Sequence, residues 1–473
     1  MGPDPRHDVT PPTDAEATAD IDLRPRARRT AAPTVDDGAD GLAGPAAGDR
    51  ATDGDGDLDG SAAPPDGAAG DDLGERRWWQ LVRRYEASGR RFLPGLWFPV
   101  VVFTVWRLAH LGAVWVAMRG DVAGEGAGAT FERVGDAAYA YDGERYLQVL
   151  HYGYSNWRLE MPNTAFFPLT SWLGRPIHWL TGSNAITVHL LMTLTGLAAF
   201  VAVWGVSRAW KDDRVGRRAV VLLALFPSSL FLWAFYSEGL FIALAAGGVW
   251  ADRRDRRGIA AALFLALAMT RSIGILVPAV IVVLRLVRER RIDRWALTYA
   301  AAGAAGLGIV MWNMWDWTGD PLAFTKVQGD WGRDLSAPWT SIAQGIDILY
   351  PADDADEIMI PALVARNWDV WCIGIVAVAL GYAGLSRKDR WPAETWMIGV
   401  ALIALPLCSS VLPSFNRFVL ADFVIYPVYA SLYGRLPRWA KLVVTPIVVV
   451  AFLVTSWMMI ERFTRFPFPR FVG

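Results

Sequence analysis

The stretch 219–251, AVVLLALFPSSLFLWAFYSEGLFIALAAGGVWA, decides the fold of this chain. It contains two apolar runs, 219–235 and 238–251, and one carboxylate, Glu238, where they meet. Helices that are apolar on every face belong in a membrane or in a large core. A carboxylate between two such runs is costly unless it is paired or functional, so Glu238 is a candidate site residue. The alternative is a short exposed turn, in which the charge costs almost nothing.

Apolar runs of this kind continue on both sides of the stretch. A helix needs about 20 residues to cross the hydrocarbon core, and several of the middle runs are shorter. The sequence therefore predicts an all-α polytopic membrane protein with about eleven transmembrane helices in the segment 95–460. The candidate spans are 95–118, 185–208, 219–235, 238–251, 258–270, 272–286, 296–315, 368–386, 394–412, 418–434 and 441–460.

The net charge of −1 over 473 residues is the sum of two opposite parts. Residues 1–75 carry 18 acids, 6 arginines and no aromatic residue, and we expect an acidic, disordered, cytoplasmic tail there. Residues 76–94 form a basic collar with tryptophans, which is typical of a segment next to a membrane. The composition disfavours a disordered protein, a disulfide-stapled secreted domain and a nucleic-acid binder. Cys372 and Cys408 lie in apolar runs and are interpreted as small buried hydrophobes.

The charges of the connections orient the chain, because basic residues stay on the cytoplasmic side. Five connections between spans hold 20 bases against 7 acids, whereas the loop 316–366 holds 9 acids and 3 bases. Alternation places the N-terminus inside, and the loops 119–184 and 316–366 and the tail 461–473 outside. This orientation requires 258–286 to be a hairpin of two short helices.

The first outer loop is too aromatic for a solvated loop and too interrupted to span, which is typical of amphipathic helices at the membrane surface. Within it, Asp142 is a candidate general base, and its alternatives are a helix N-cap or a solvated acid. Its polar and aromatic neighbours Tyr141, Tyr154 and Asn163 are candidates for positioning a substrate.

Arginines near apolar segments form a second group of candidates. Arg271 stands alone at the tip of the expected hairpin and suits a lipid phosphate, with an ion pair to Glu238 as the alternative. Arg417 is a second candidate for a phosphate contact, and a snorkelling arginine at the interface is its alternative. Tyr236, Gln328 and Trp331 are further candidates for holding a sugar, although an aromatic interface belt looks similar.

Motifs of soluble enzymes are missing from the sequence. It has no P-loop, no dinucleotide fingerprint and no nucleophile elbow, and its five histidines are scattered without metal-ligand spacing. No metal site and no cofactor are therefore predicted.

Taken in order, the motifs resemble the PIG-V family of mannosyltransferases, in its bacterial branch, within the GT-C class of membrane glycosyltransferases. The resemblance covers about residues 95–435 and departs from the family where Tyr141 replaces a frequent tryptophan. It rests on Tyr141-Asp142 before Gly153-Tyr154, on Ala165-Phe166-Phe167-Pro168-Leu169, on Pro227-Ser228 before Tyr236-Ser237-Glu238, on Thr270-Arg271-Ser272, on Thr318-Gly319-Asp320-Pro321-Leu322-Ala323-Phe324 and on Arg417.

The resemblance implies a GT-C-like bundle that transfers mannose from polyprenyl-phosphate-mannose, with inversion, on the outer face of a bacterial plasma membrane. Asp142 would be the base, Arg271 and Arg417 would hold the phosphate, and Glu238 would position the donor sugar or Arg271. Acceptors in keeping with it are a lipoglycan, a cell-wall glycan or a protein. It requires no metal, although some GT-C enzymes use a divalent ion.

Two other classes of function compete with this interpretation. A flippase or transporter of a lipid-linked sugar would also be polytopic, but such proteins often show internal repeats, and none is visible here. A non-catalytic scaffold with an acidic tail would leave Asp142, Glu238 and Arg271 without a purpose.

Overall fold

The computed structural model describes residues 95–154, 163–330, 332–349 and 367–465. The predicted tail 1–75 and the predicted collar 76–94 lie outside these ranges. The described residues are helical and contain no β-strand, apart from an isolated antiparallel bridge between Leu335 and Ser409.

Helices follow one another along the whole described chain, with 3₁₀ turns at Asn163–Ala165, Pro227–Leu232 and Ser272–Ile275. The α-helices are α1 Gly95–Met118, α2 Ala127–Ala138, α3 Asp142–Tyr152, α4 Leu169–Thr181, α5 Asn184–Trp210, α6 Asp213–Leu225, α7 Glu238–Arg253, α8 Arg257–Ala268, α9 Leu276–Glu289, α10 Arg294–Thr318, α11 Ala323–Asp330, α12 Pro338–Leu349, α13 Trp368–Leu385, α14 Ala393–Leu407, α15 Phe415–Ala421, α16 Ile425–Arg435 and α17 Arg438–Thr464.

Five of the described helices, α1, α5, α10, α13 and α17, are long and apolar enough to cross a membrane. They coincide with predicted spans to within a few residues at each end, and they indicate a multi-pass membrane protein. The helix α17 continues to Thr464, slightly past the predicted start of the tail at 461. The count of about eleven spans stays a prediction.

Two of the predicted spans are interrupted rather than continuous. The run 219–235 divides at Pro227, where α6 ends and a 3₁₀ turn begins, because proline lacks the N–H that a continuing helix needs. The run 418–434 divides at Asp422, between α15 and α16. The expected pair of short helices in 258–286 is present as α8 and α9. Both pack against α10, and each packs against one further helix, α7 for α8 and α14 for α9.

The core forms around α5, which packs against α6 and α7, while α8 packs against α7 and α10. Large side chains such as Trp204, Phe200 and Phe241 are fully buried there. The described part of the loop 119–184, which is predicted to lie outside, contains α2, α3 and α4, of which α2 and α4 pack against α5. The start of α3 is thereby anchored to the core.

Ion pairs join the connections that are predicted to be cytoplasmic. Arg285 pairs with Asp252 at 2.6 Å and with Asp293 at 3.0 Å, and Arg253 pairs with Glu394. These residues lie near the ends of α7 and α9 and at the starts of α10 and α14. One end of the helix bundle is therefore closed by charged residues.

Gly306 allows α10 to approach α8 closely. A Cβ atom at this position would overlap the backbone carbonyl of Leu265 and lie 2.9 Å from the Cβ of Ala268. Because Ala268 ends α8 only three residues before Arg271, this contact helps to place that arginine.

We expect Gly306→Ala to lower the free energy of unfolding by about 1–3 kcal/mol, since overpacking against backbone forces the two helices apart. Gly308→Ala is the matched control in the same helix, because nothing lies within 4 Å of its Cβ position. Thermal unfolding of the two purified variants in detergent tests this. Equal melting temperatures for both would contradict the packing.

Candidate functional site

Four charged side chains from four separate segments meet at one place. Asp142 is the first residue of α3, and Glu238 is the first residue of α7. Arg271 precedes the 3₁₀ turn Ser272–Ile275, and Arg417 lies in α15. The sequence had marked each of the four, in separate motifs.

Arg417 joins the two carboxylates of this cluster. Its Nε donates to Oε1 of Glu238 at 2.7 Å, and its Nη1 donates to Oδ2 of Asp142. The side chain of Arg417 is only 9% exposed. It is therefore not a snorkelling arginine at an interface, and Asp142 is neither an N-cap nor a solvated acid.

Glu238 also receives Arg271, whose Nη1 donates to the same Oε1 at 2.7 Å. Glu238 is completely buried, and a buried carboxylate costs several kcal/mol unless cations compensate it. The ion pair that the sequence offered as the alternative for Arg271 is thus present. Because the side chain of Asp142 is 26% exposed, it is the member of the cluster that an incoming molecule reaches most easily.

Aromatic rings cover the two guanidinium groups. Arg417 lies over Tyr236, 4.5 Å from the ring centroid, and Arg271 lies over Phe418 at 4.7 Å. Such contacts stabilise a partly desolvated cation. They also fix the direction in which each arginine points.

The backbone before Asp142 is strained and is held by Tyr236. Tyr141 has a φ of +55°, in the region that residues other than glycine rarely adopt. The hydroxyl of Tyr236 accepts a hydrogen bond from the backbone N–H of Asp142 at 3.2 Å and donates one to the carbonyl of Ala140 at 3.1 Å. Tyr236 therefore positions Asp142 through its backbone, and the Tyr141 side chain is partly exposed beside Phe463.

Asp369 holds the turn before Arg417. Its carboxylate accepts from the backbone N–H of Ser414 at 3.2 Å and from the backbone and side-chain nitrogens of Asn416, each at 2.6 Å. Sequence reasoning missed this residue. A lone acid at the start of an apolar helix was the available signal.

Hydrogen bonds between buried side chains also support the turn before Arg417. Trp368 Nε1 donates to Ser228 Oγ, and Ser228 Oγ donates to Asn416 Oδ1, each at 2.9 Å. The Pro227-Ser228 motif thus acts on the site indirectly, through the residue next to Arg417.

Tyr154 and Asn163 have structural contacts rather than a place in the charged cluster. The hydroxyl of Tyr154 donates to the carbonyl of Phe166 at 2.7 Å, and Asn163 Nδ2 donates to the carbonyl of Gly153 at 3.0 Å. Both side chains are buried. Their predicted role in positioning a substrate remains a prediction.

A cavity of about 330 Å³ opens beside the cluster and is lined in part by Gln328, Arg333 and Phe418. Burial lowers the pKa of the Arg333 guanidinium below its usual value, and the charges of Arg417 and Arg271 act in the same direction. Arg333 therefore lies within electrostatic range of the cluster. The sequence had indicated its neighbours Gln328 and Trp331 as candidates, but not Arg333 itself; Trp331 lies outside the described residues.

Metal-ligand chemistry is not apparent in the part of the chain that the structure describes. No group of three or more His, Cys, Asp or Glu side chains is arranged to hold an ion there. The charge next to Asp142 and Glu238 is supplied by arginines.

Comparison with known proteins gives one family match. The family model described as mannosyltransferase (PIG-V) matches residues 137–290, a range that contains Asp142, Glu238 and Arg271. No curated protein matches the chain.

The chain is also similar to solved structures. The oligosaccharyltransferase of Archaeoglobus fulgidus in its apo form matches with a TM-score of 0.42 and 11% identity, over 78% of this chain and 57% of that one. ArnT from Cupriavidus metallidurans, bound to undecaprenyl phosphate, matches with a TM-score of 0.44 and 16% identity, over 77% and 76%. The chain spans little more than half the length of the archaeal protein.

We expect Tyr236→Phe to lower the free energy of unfolding by about 1–3 kcal/mol, because it removes the hydroxyl that accepts from the backbone N–H of Asp142 and one of the two hydrogen bonds to the carbonyl of Ala140. Hydrogen exchange at the start of α3 should also become faster. Tyr152→Phe is the control, since Tyr152 lies in the same helix and is exposed. Unchanged exchange in Tyr236→Phe would show that its hydroxyl does not hold the turn.

Proposed function

We propose that the chain is a membrane mannosyltransferase that takes mannose from polyprenyl-phosphate-mannose and passes it to an acceptor at the outer face of a bacterial plasma membrane. The observation that carries the proposal is the cluster itself. Three of its four residues lie within the family match, and the fold brings Arg417 to them from outside that match.

Asp142 serves as the general base in this proposal. The acceptor hydroxyl gives its proton to the Asp142 carboxylate while its oxygen forms a bond to C1 of mannose. The bond between C1 and the phosphate oxygen breaks, and its electron pair stays on the departing lipid phosphate. Attack from the face opposite the leaving group inverts the configuration at C1.

Arg271 and Arg417 supply positive charge where negative charge grows on the leaving phosphate. Glu238 acts as a positioning residue, since it is fully buried and engages both guanidinium groups. Its contact is with the arginines, so we favour that role over contact with the donor sugar. No resident cofactor is required by these steps, and the proposed acceptors are a lipoglycan, a cell-wall glycan or a protein.

Sidedness of the membrane is part of the proposal. Asp142, Glu238, Arg271 and Arg417 all lie in or beside connections that the alternation of about eleven spans assigns to the outside. The basic connections are assigned to the inside, and their residues pair with one another, as Arg285 does with Asp252. The helix α7 runs from Glu238, in the charged cluster, to Arg253, in a basic connection. Its length is about 24 Å at 1.5 Å per residue.

Reconstitution with synthetic polyprenyl-phosphate-mannose and a membrane extract as acceptor tests the chemistry. We expect Asp142→Asn to transfer mannose about 10²–10⁴ times more slowly than the wild type, since the amide cannot accept the proton. Asp121→Asn, at an exposed acid of the same loop, should transfer at the wild-type rate.

Equal rates for Asp142→Asn and the wild type would remove the proposed base. Movement of the lipid-linked sugar across the bilayer without any mannose transfer would favour a flippase instead.

Cysteine labelling tests the sidedness. In a chain whose Cys372 and Cys408 are replaced by serine, we expect Thr340→Cys to react with a membrane-impermeant maleimide in intact cells. Lys388→Cys should react only after permeabilisation; both positions are exposed in the structure. The reverse pattern would overturn the orientation.

A further inference from the structure

The cavity beside the cluster is built from parts of the chain that are far apart in sequence. Arg333 and Gln328 come from the second outer loop, Ser272 follows Arg271, and Phe418 follows Arg417. Its volume of about 330 Å³ is in the range of small-ligand pockets. Because the Phe418 ring lies under Arg271, a group in this cavity is next to the charged cluster.

The arginines that face this region differ in how far they are already engaged. Arg417 binds both Asp142 and Glu238, and Arg271 binds Glu238. Arg333 forms no ion pair with a described residue, and its one side-chain hydrogen bond to a described residue is to the carbonyl of Pro413 at 3.4 Å. A guanidinium has five N–H donors, so most of those on Arg333 are not taken by the residues that the structure describes.

Other polar groups on the cavity wall suit an anion with several oxygens. Ser272, Thr325 and Gln328 contribute hydroxyl and amide groups. The carboxylate of Asp334 also borders the cavity, but it is exposed and outside ion-pair distance of Arg333.

We propose that Arg333 binds the phosphate of the lipid-linked donor in this cavity, as a third arginine whose donors are not already taken by carboxylates. The inference rests on the proposed function, because it names the residue that recognises the lipid phosphate of that reaction. Arg333, in the second outer loop, then contacts the phosphate first. Arg271 and Arg417, which Glu238 and Asp142 hold, add their positive charge from the side of the cluster. The positive charges of Arg271 and Arg417 disfavour the protonated form of Arg333, and a bound anion offsets this repulsion.

Direct binding to the purified full-length chain in detergent tests this without an acceptor. The probes are farnesyl phosphate, a short polyprenyl phosphate, and farnesol, which lacks the phosphate. We expect Arg333→Gln to weaken farnesyl phosphate binding about 10- to 100-fold, the range for charge-assisted hydrogen bonds, and to leave farnesol binding unchanged. Arg333→Lys should keep the affinity to within about 10-fold, because it preserves the charge.

Arg119→Gln is the control, an exposed arginine at the end of α1 on the same proposed side. It should bind both probes as the wild type does. The assignment is overturned if Arg333→Gln binds farnesyl phosphate with wild-type affinity, or if it weakens both probes equally together with a lower melting temperature. It is also overturned if the wild type does not distinguish farnesyl phosphate from farnesol.

The outcomes separate this inference from the proposed function. A wild type that binds farnesyl phosphate through Arg333 but transfers no mannose retains the phosphate site and loses the reaction. Mannose transfer by Arg333→Gln with an unchanged KM for the donor and an unchanged kcat retains the reaction and removes Arg333 from it.

Discussion

The ion pairs of Arg417 with Asp142 and Glu238 are the interaction on which the rest of the site depends. They join residues 275 and 179 positions apart, so they form only when the start of α3, the start of α7 and α15 have reached the same place. A buried charge without a partner is too costly to keep, which makes each member of the cluster depend on the others. The same contacts hold the carboxylate of Asp142 in place while its side chain stays partly exposed.

Supporting residues show how the fold makes this arrangement stable. Tyr236 holds the strained turn at Tyr141 from one side, and Asp369 and Asn416 hold the turn before Arg417 from the other. Both act by fixing the backbone from which a charged side chain projects, which is how a site gains precision from rigid elements.

Much of the fold could be predicted from the sequence, because long apolar runs such as 185–208 and 441–460 have few alternatives to a membrane helix. The four charged residues could be named for a related reason, since Asp142, Glu238, Arg271 and Arg417 interrupt or adjoin those runs, where charge is costly. The pair of Arg271 with Glu238 was open as an alternative in the sequence, but the pairs that Arg417 forms could not be predicted, because they are tertiary and several partners were open to it. Arg333 escaped notice, since an arginine in a polar loop looks solvated until the fold places it beside a cavity. The breaks at Pro227 and Asp422 lay inside runs whose composition alone indicated continuous spans.

The central claim is that Arg417 and Glu238 depend on each other within one buried cluster. A double-mutant cycle with Arg417→Met, Glu238→Gln and the combined variant measures this directly, through the free energy of unfolding in detergent. We predict that each single change costs about 3–5 kcal/mol, because it removes one of the two charged partners of a buried side chain. The combined change should then cost less than the sum by about 1–3 kcal/mol. Strictly additive losses would contradict the account, since they would show that the two side chains contribute independently.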